Sequence, residues 1–243
     1  MAIAVTNLTS GSDTDGNSTA STASVTPTGN RLILLSVSSR TGISTQPNTP
    51  TATGNGLTWV QINTIYWDTD SSSRKTTTLF RAMGASPSSG AISIDFGGQN
   101  QTDVLWSVDE VSGMDTSGTN GSGAIVQSVT NIDEVSGGGT ITVTLAAFSD
   151  TNNGTFGIFG ADTNTTIGVP LGTVGSGFTL LAQPANTFEI LSEWKSTNDT
   201  TVDATFNSAA GGKMGGIAIE IKIAAAAQVG ISAPQRLTLG VGT

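Results

Sequence analysis

The feature that most constrains the fold is a series of short β-branched or aromatic runs, each closed off by Gly, Asn, Asp, Ser or Pro, along nearly the whole chain. The segment NRLILLSVSS is apolar on both faces from Leu32 to Leu35 and then alternates, the pattern of a central strand in a sheet covered on both sides. The runs LTWVQINTIYW and TTTLFRAM flank the polar DTDSSSRK and read as a hairpin with a long tip. AISIDF and DVLWSVDEV repeat that pattern across GGQNQT. Further strands are predicted at AIVQSV, TITVTLAAF, TFGIFGA, FTLLAQ, TFEILSEW, TVDATF and GGIAIEIKIA. In the last, Ile217, Ile219, Ile221 and Ile223 share one face and Glu220 and Lys222 the other, so a half-buried strand is expected.

About ten to twelve strands with no helix able to cover a parallel sheet predict an all-β fold, an antiparallel two-sheet β-sandwich of jelly-roll type. Residues 1–223 are expected to form one sandwich domain, with 1–20 allowed as an extended arm. The heavier loops at 40–56, 112–123 and 162–177 are read as interrupting one strand series, and no fixed-period repeat is evident. After Ile223 the chain becomes AAAAQVGISAPQRLTLGVGT, a small-residue spacer followed by a short alternation. Residues 224–243 are therefore a candidate spacer and assembly arm, with Leu237, Leu239 and Val241 on one side and Arg236 and Thr238 on the other.

Composition excludes several chemistries. The chain has no His and no Cys, so no Ser-His-Asp triad, His- or Cys-ligated metal or disulfide can form. Eighteen acidic against nine basic residues give a net charge of -9, which disfavours nucleic acid and anionic lipid as partners. The start MAIAVTNLTSGSD lacks the basic and apolar regions of a secretory signal, and no apolar run approaches the roughly 18 residues that span a bilayer. A soluble chain made in the cytosol, without membrane association, is expected. With no His, little titration is expected near neutral pH, and Asp109, Glu110, Glu189 and Glu193 are the carboxylates to test for it.

Few segments suggest a site. Asp13, Asp15 and Asn17 alternate as the ligands of a calcium loop do, but such a loop needs its glycine sixth and a glutamate twelfth. Counted from Asp13, Gly16 is fourth and Ser24 twelfth, so a polar turn is predicted and no metal. Glu189 and Glu193 share a strand face beside Trp194, but Leu191 separates them and they read as exposed acids rather than a glycosidase pair. Asp109 and Glu110 point to opposite faces. No catalytic residue and no cofactor are predicted. Of Trp59, Trp67, Trp106 and Trp194, the strand neighbours of Trp59 and Trp106 predict burial. Trp67, with Tyr66 at the hairpin tip, is the candidate glycan contact. The N-x-S/T sequons at Asn7, Asn17, Asn153 and Asn198 are no more than this composition produces by chance.

The runs STASTASVTPTGNRLILLSVSS, GNGLTWVQI, TTTLFRAMGASPSSGAISIDFGG and VLWSVDEVSG resemble jelly-roll-like β-sandwich proteins of tailed phages, over roughly residues 17–130. The resemblance implies a surface component of the virion, either capsid decoration or a tail-associated part, with no catalytic residues to carry over. Its expected partners are other virion proteins or copies of itself, as a homo-oligomer assembled in the host cytoplasm. A virion role also reconciles a Ser/Thr/Gly/Asn-rich surface, typical of proteins that work outside cells, with the missing export signal. The alternative is an extracellular carbohydrate-binding or adhesin module that contacts host-surface glycan.

Overall fold

A computed structural model describes residues 2–70, 73–135, 139–162, 170–206 and 212–225. Its first eight strands are β1 (Ala4–Asp13), β2 (Thr19–Ser21), β3 (Leu32–Arg40), β4 (Thr51–Gly54), β5 (Val60–Trp67), β6 (Lys75–Ala82), β7 (Ile92–Asp95) and β8 (Asp103–Ser112). A 3-10 turn at Ser122–Ala124 leads to β9 (Ile125–Asp133), β10 (Gly139–Thr144), β11 (Gly154–Ala161) and β12 (Gly172–Val174). The chain continues through β13 (Thr179–Ala182), β14 (Glu189–Lys195), β15 (Thr201–Phe206) and β16 (Met214–Ile221). The described residues are thus all-β, every strand pair is antiparallel, and no helix is long and apolar enough to cross a membrane.

The sandwich architecture is present, but with four layers rather than two. The sheets run β1-β8-β3-β6-β5, β2-β7-β4, β13-β14-β11-β16-β9 and β10-β15-β12. Adding eight to each strand number of the first pair of sheets reproduces the second pair, so the chain is a tandem pair of eight-stranded units of identical topology. The loop at 112–123, expected to interrupt one sandwich, is the junction between two. Local details repeat as well. Asp13 and Asp133 each accept, on Oδ1, the N–H two residues further on, both at 2.9 Å. The sequences GNGLT (54–58) and GSGFT (175–179) make the same turn, with Leu57 N–H bonding Gly54 O and Phe178 N–H bonding Gly175 O, both at 3.1 Å. Their second glycines, Gly56 and Gly177, have φ of 63° and 80°, a region that side chains disfavour.

The two units stack through their five-stranded sheets. Several cross-sheet contacts come in reciprocal pairs, β1 with β13 and β5 with β9, β8 with β14 and β6 with β16, which is the pattern of an approximate two-fold axis between the halves, closer at the β5–β16 end. Three cores follow. One, containing Leu34, Trp67, Leu105, Phe156, Ile158 and Ile217, lies between the large sheets. The other two lie between each large sheet and its own three-stranded cover, around Phe80 and Ile94 in the first unit and around Phe159 and Phe206 in the second.

This layering overturns several expectations. β16 is buried along its whole length, because the three-stranded sheet covers the face on which Glu220 was expected to meet solvent. Glu220 is instead held by Asn153 Nδ2 and Gln127 Nε2, both at 2.6 Å. β7 and β8 do not form a hairpin, since they lie in different sheets. The first residues do not form a free arm either, because β1 pairs with β8 from Ala4 to Asp13. The arm residues Arg236, Leu237, Leu239 and Val241 lie outside the described residues.

Candidate functional site

Buried charged side chains gather at the seam between the units and under the second cover sheet. At one end of the seam the β5–β6 hairpin brings Asp68 and Lys75 together, with Lys75 Nζ 2.5 Å from Asp68 Oδ2 and both side chains nearly inaccessible. Lys75 also lies 3.3 Å from Asp162 of the second unit. Lys213 of that unit pairs with Asp70 and lies 3.7 Å from Asp68 and 3.4 Å from Glu134. Asp68, Asp70 and Glu134 are, among the described residues, the one cluster of three carboxylates close enough to hold a cation, and Lys213 already supplies it with positive charge. Such a network ties hairpin to partner unit, with a buried Lys75–Asp68 pair at its centre and Asp70 at its solvent-exposed rim.

Trp67 belongs to this end of the seam and not to the surface. Its side chain is fully buried, so the expectation of an exposed glycan platform is corrected for this residue. It crosses into the second unit over Gly160 and Gly215, where an added Cβ would come within 2.6 Å of the indole. Phe188 meets it edge-on at 6.1 Å, Lys75 Nζ lies 5.3 Å from the ring, and its Nε1–H donates to Thr77 Oγ1 at 3.0 Å. Tyr66, on the opposite strand face, is 40% exposed and its hydroxyl bonds Thr49 at 2.8 Å. Trp106 is buried as expected, and Trp59 is half-buried against the same core.

Asp109 sits in the core between the large sheets. Asn7 Nδ2 donates to its Oδ1 at 2.8 Å and Ser107 Oγ to its Oδ2 at 2.9 Å, while Ser192 of the second unit donates to Ser107 at 3.3 Å. Loss of hydration pushes this carboxyl up to about 7 despite those two donors. Its register equivalent in the second unit is Ile219: β1 meets β8 at Asp13–Val104, β9 meets β16 at Asp133–Met214, and the two offsets carry Asp109 onto Ile219. Glu110 faces the other way and accepts Thr28 N–H at 2.6 Å. Its equivalent is Glu220, a carboxylate likewise bonded from the segment preceding the third strand of its unit.

Glu189 and Glu193, expected on an exposed sheet face, are both inaccessible because β12 and its flanking turns close over them. Glu189 Oε2 accepts Leu171 N–H at 2.7 Å and Glu193 Oε2 accepts Gly175 N–H at 2.9 Å. Burial raises both carboxyls, that of Glu193 to about 8, with Asp203 and Asp199 adding repulsion. Leu191 lies between them in the hydrophobic core, so they form no shared sugar cleft. The calcium-like stretch is a turn: Asp13 serves Asp15 N–H, and Asp15 and Asn17 are exposed. No family model matches the chain, and neither the curated proteins nor the solved structures contain one significantly similar to it.

Proposed function

We propose that the protein is a structural, non-enzymatic component of a phage particle's surface, capsid decoration or tail-associated, that works through protein–protein contacts. The observation that supports this reading best is the fused, reciprocally packed pair of eight-stranded units. Both large sheets are spent on internal cores, which makes a rigid block whose outward face is sheet edges, turns and thin cover sheets. Such a block offers positions for neighbours. The resemblance of residues 17–130 to phage virion sandwiches favours the same reading, and assembly would take place in the host cytoplasm. The test is purification of particles made with and without the protein. Copurification at a fixed stoichiometry is expected, and deletion of residues 228–243 should leave the sandwiches folded while reducing incorporation.

A second reading, an extracellular glycan-binding or adhesin module, is favoured by Tyr66, half-exposed at the edge strand β5. It predicts glycan-array binding that Tyr66→Ala removes without lowering stability.

A further inference from the structure

We propose that Glu193 is a proton-operated latch: while it carries a proton it holds the strap Pro170–Phe178 down over the second unit's core, and losing the proton releases the strap. The inference is independent of the virion reading. It starts from the duplication. Ser39 and Ala161 occupy the same register positions in β3 and β11, which makes Thr76 the equivalent of Glu189 and Phe80 the equivalent of Glu193. Phe80 packs in the hydrophobic core of the first unit. The fold therefore accepts hydrocarbon at this position, and in the second unit an ionisable group stands there instead, inaccessible to water.

The surroundings suit a carboxylic acid better than a carboxylate. Oε2 accepts the Gly175 N–H, whereas Oε1 is buried with no hydrogen-bond partner, an arrangement that favours a proton on Oε1. From β15, Asp203 places Oδ1 close against Gly175, where an added Cβ would lie 2.4 Å from it. From the turn before β15, Asp199 faces the same region, and the nearby cation Lys195 is already paired with it at 2.7 Å. From β14 itself, Glu189 adds another acid two positions along the same face. β10, β11 and β12 contribute no charged side chain. Ionised Glu193 thus meets carboxylates and a committed lysine. Opening the strap would lift Gly175 from between Glu193 and Asp203 and let water hydrate and screen the charge. Phe178 and Val174, both packed on this core, would be uncovered by the same motion.

The sign follows from linkage. Burial and the neighbouring acids raise the latched carboxyl to about 8, whereas in an open strap it titrates as an ordinary glutamate near 4.3. The latch is therefore full below about pH 4.3, weakens as pH rises from there to about 8, and is level above. Amide exchange of Gly175 and its neighbours, corrected for the intrinsic pH dependence of exchange, reads it directly. Between pH 6 and 9 the protection is expected to fall about 10- to 100-fold in the full chain. It should stay level in Glu193→Gln and in Glu193→Met, the latter imitating the apolar first unit. Asp203→Asn should move the transition to lower pH by removing the repelling charge. Protection that falls equally in both Glu193 variants, or that does not fall in the unaltered chain, overturns the proposal. An Asp203→Asn transition that does not move removes Asp203 from it.

Discussion

Truncating Trp67 to Ala tests how the two units are joined. The side chain is fully buried, spans the seam, and rests on Gly160 and Gly215 of the second unit. Removing a buried Trp typically costs about 3–5 kcal/mol in transfer and cavity terms. Here the edge-to-face contact with Phe188 adds about 0.5–1.5 kcal/mol and the Lys75 ammonium over the ring about 1–2 kcal/mol. Partial collapse and non-additivity trim the sum, so a loss of about 4–6 kcal/mol is expected. That is a large share of the roughly 5–15 kcal/mol available to a folded chain. In a protein of this size it lowers Tm by roughly 10–20 °C. Urea unfolding followed by circular dichroism measures it. The contact can be isolated in a cycle with Gly215→Ala, whose methyl would meet the indole at 2.6 Å. That substitution should cost about 1–3 kcal/mol alone and clearly less in the Trp67→Ala background, where the two indole atoms in closest contact are gone and only the Cβ of residue 67 remains, at 3.1 Å. A Trp67→Ala loss below about 1.5 kcal/mol, or strict additivity with Gly215→Ala, would refute the bridging role.

Other outcomes follow from the buried charges. Folded Asp109 keeps its proton to about pH 7, whereas an unfolded Asp releases it near 3.9, so its contribution is full on the acid side and is lost as pH rises from about 4 to 7. Asp109→Asn should flatten that part of the stability–pH curve by a few kcal/mol (order of magnitude) in urea titrations from pH 5 to 8, and an unchanged slope would count against the burial argument. Lys75→Met takes from Asp68 its nearest buried cation, leaving Lys213 at 3.7 Å, and should cost about 3–5 kcal/mol, part of it recovered by adding Asp68→Asn, which tolerates the left-handed φ of 54° there. A Lys75→Met chain as stable as the parent would show that the network is idle. EDTA should leave Tm unchanged, since Asp13 is occupied with a turn N–H; a fall of several degrees reversed by calcium would restore the stretch as a metal site.

The strands and their two faces were legible from residue order, because alternation is a local property: side chains at i and i+2 share a face whatever lies opposite. That is why Leu32 to Leu35 read correctly as a doubly covered strand and why Ile217, Ile219 and Ile221 were assigned to one core. The absence of His and Cys likewise set limits on chemistry before any fold was known. The duplication left only faint traces, such as GNGLT and GSGFT spaced 121 positions apart, because a packed core position constrains volume and pairing rather than residue identity, and even polarity differs between equivalents such as Asp109 and Ile219.

What covers each face was a tertiary decision. Parity separated Glu220 from the isoleucines and Glu189 and Glu193 from their strand neighbours, but a polar residue on the second face of a strand reads the same under solvent as under another sheet. Here a three-stranded cover sheet closes over them and converts expected surface acids into buried ones with displaced proton affinity. Trp67 follows the same logic: its hairpin position suggested exposure, and burial came from Gly160 and Gly215, distant in sequence, which leave a slot the indole fills. Local pattern determines which residues point together; only long-range packing determines whether water or protein meets them.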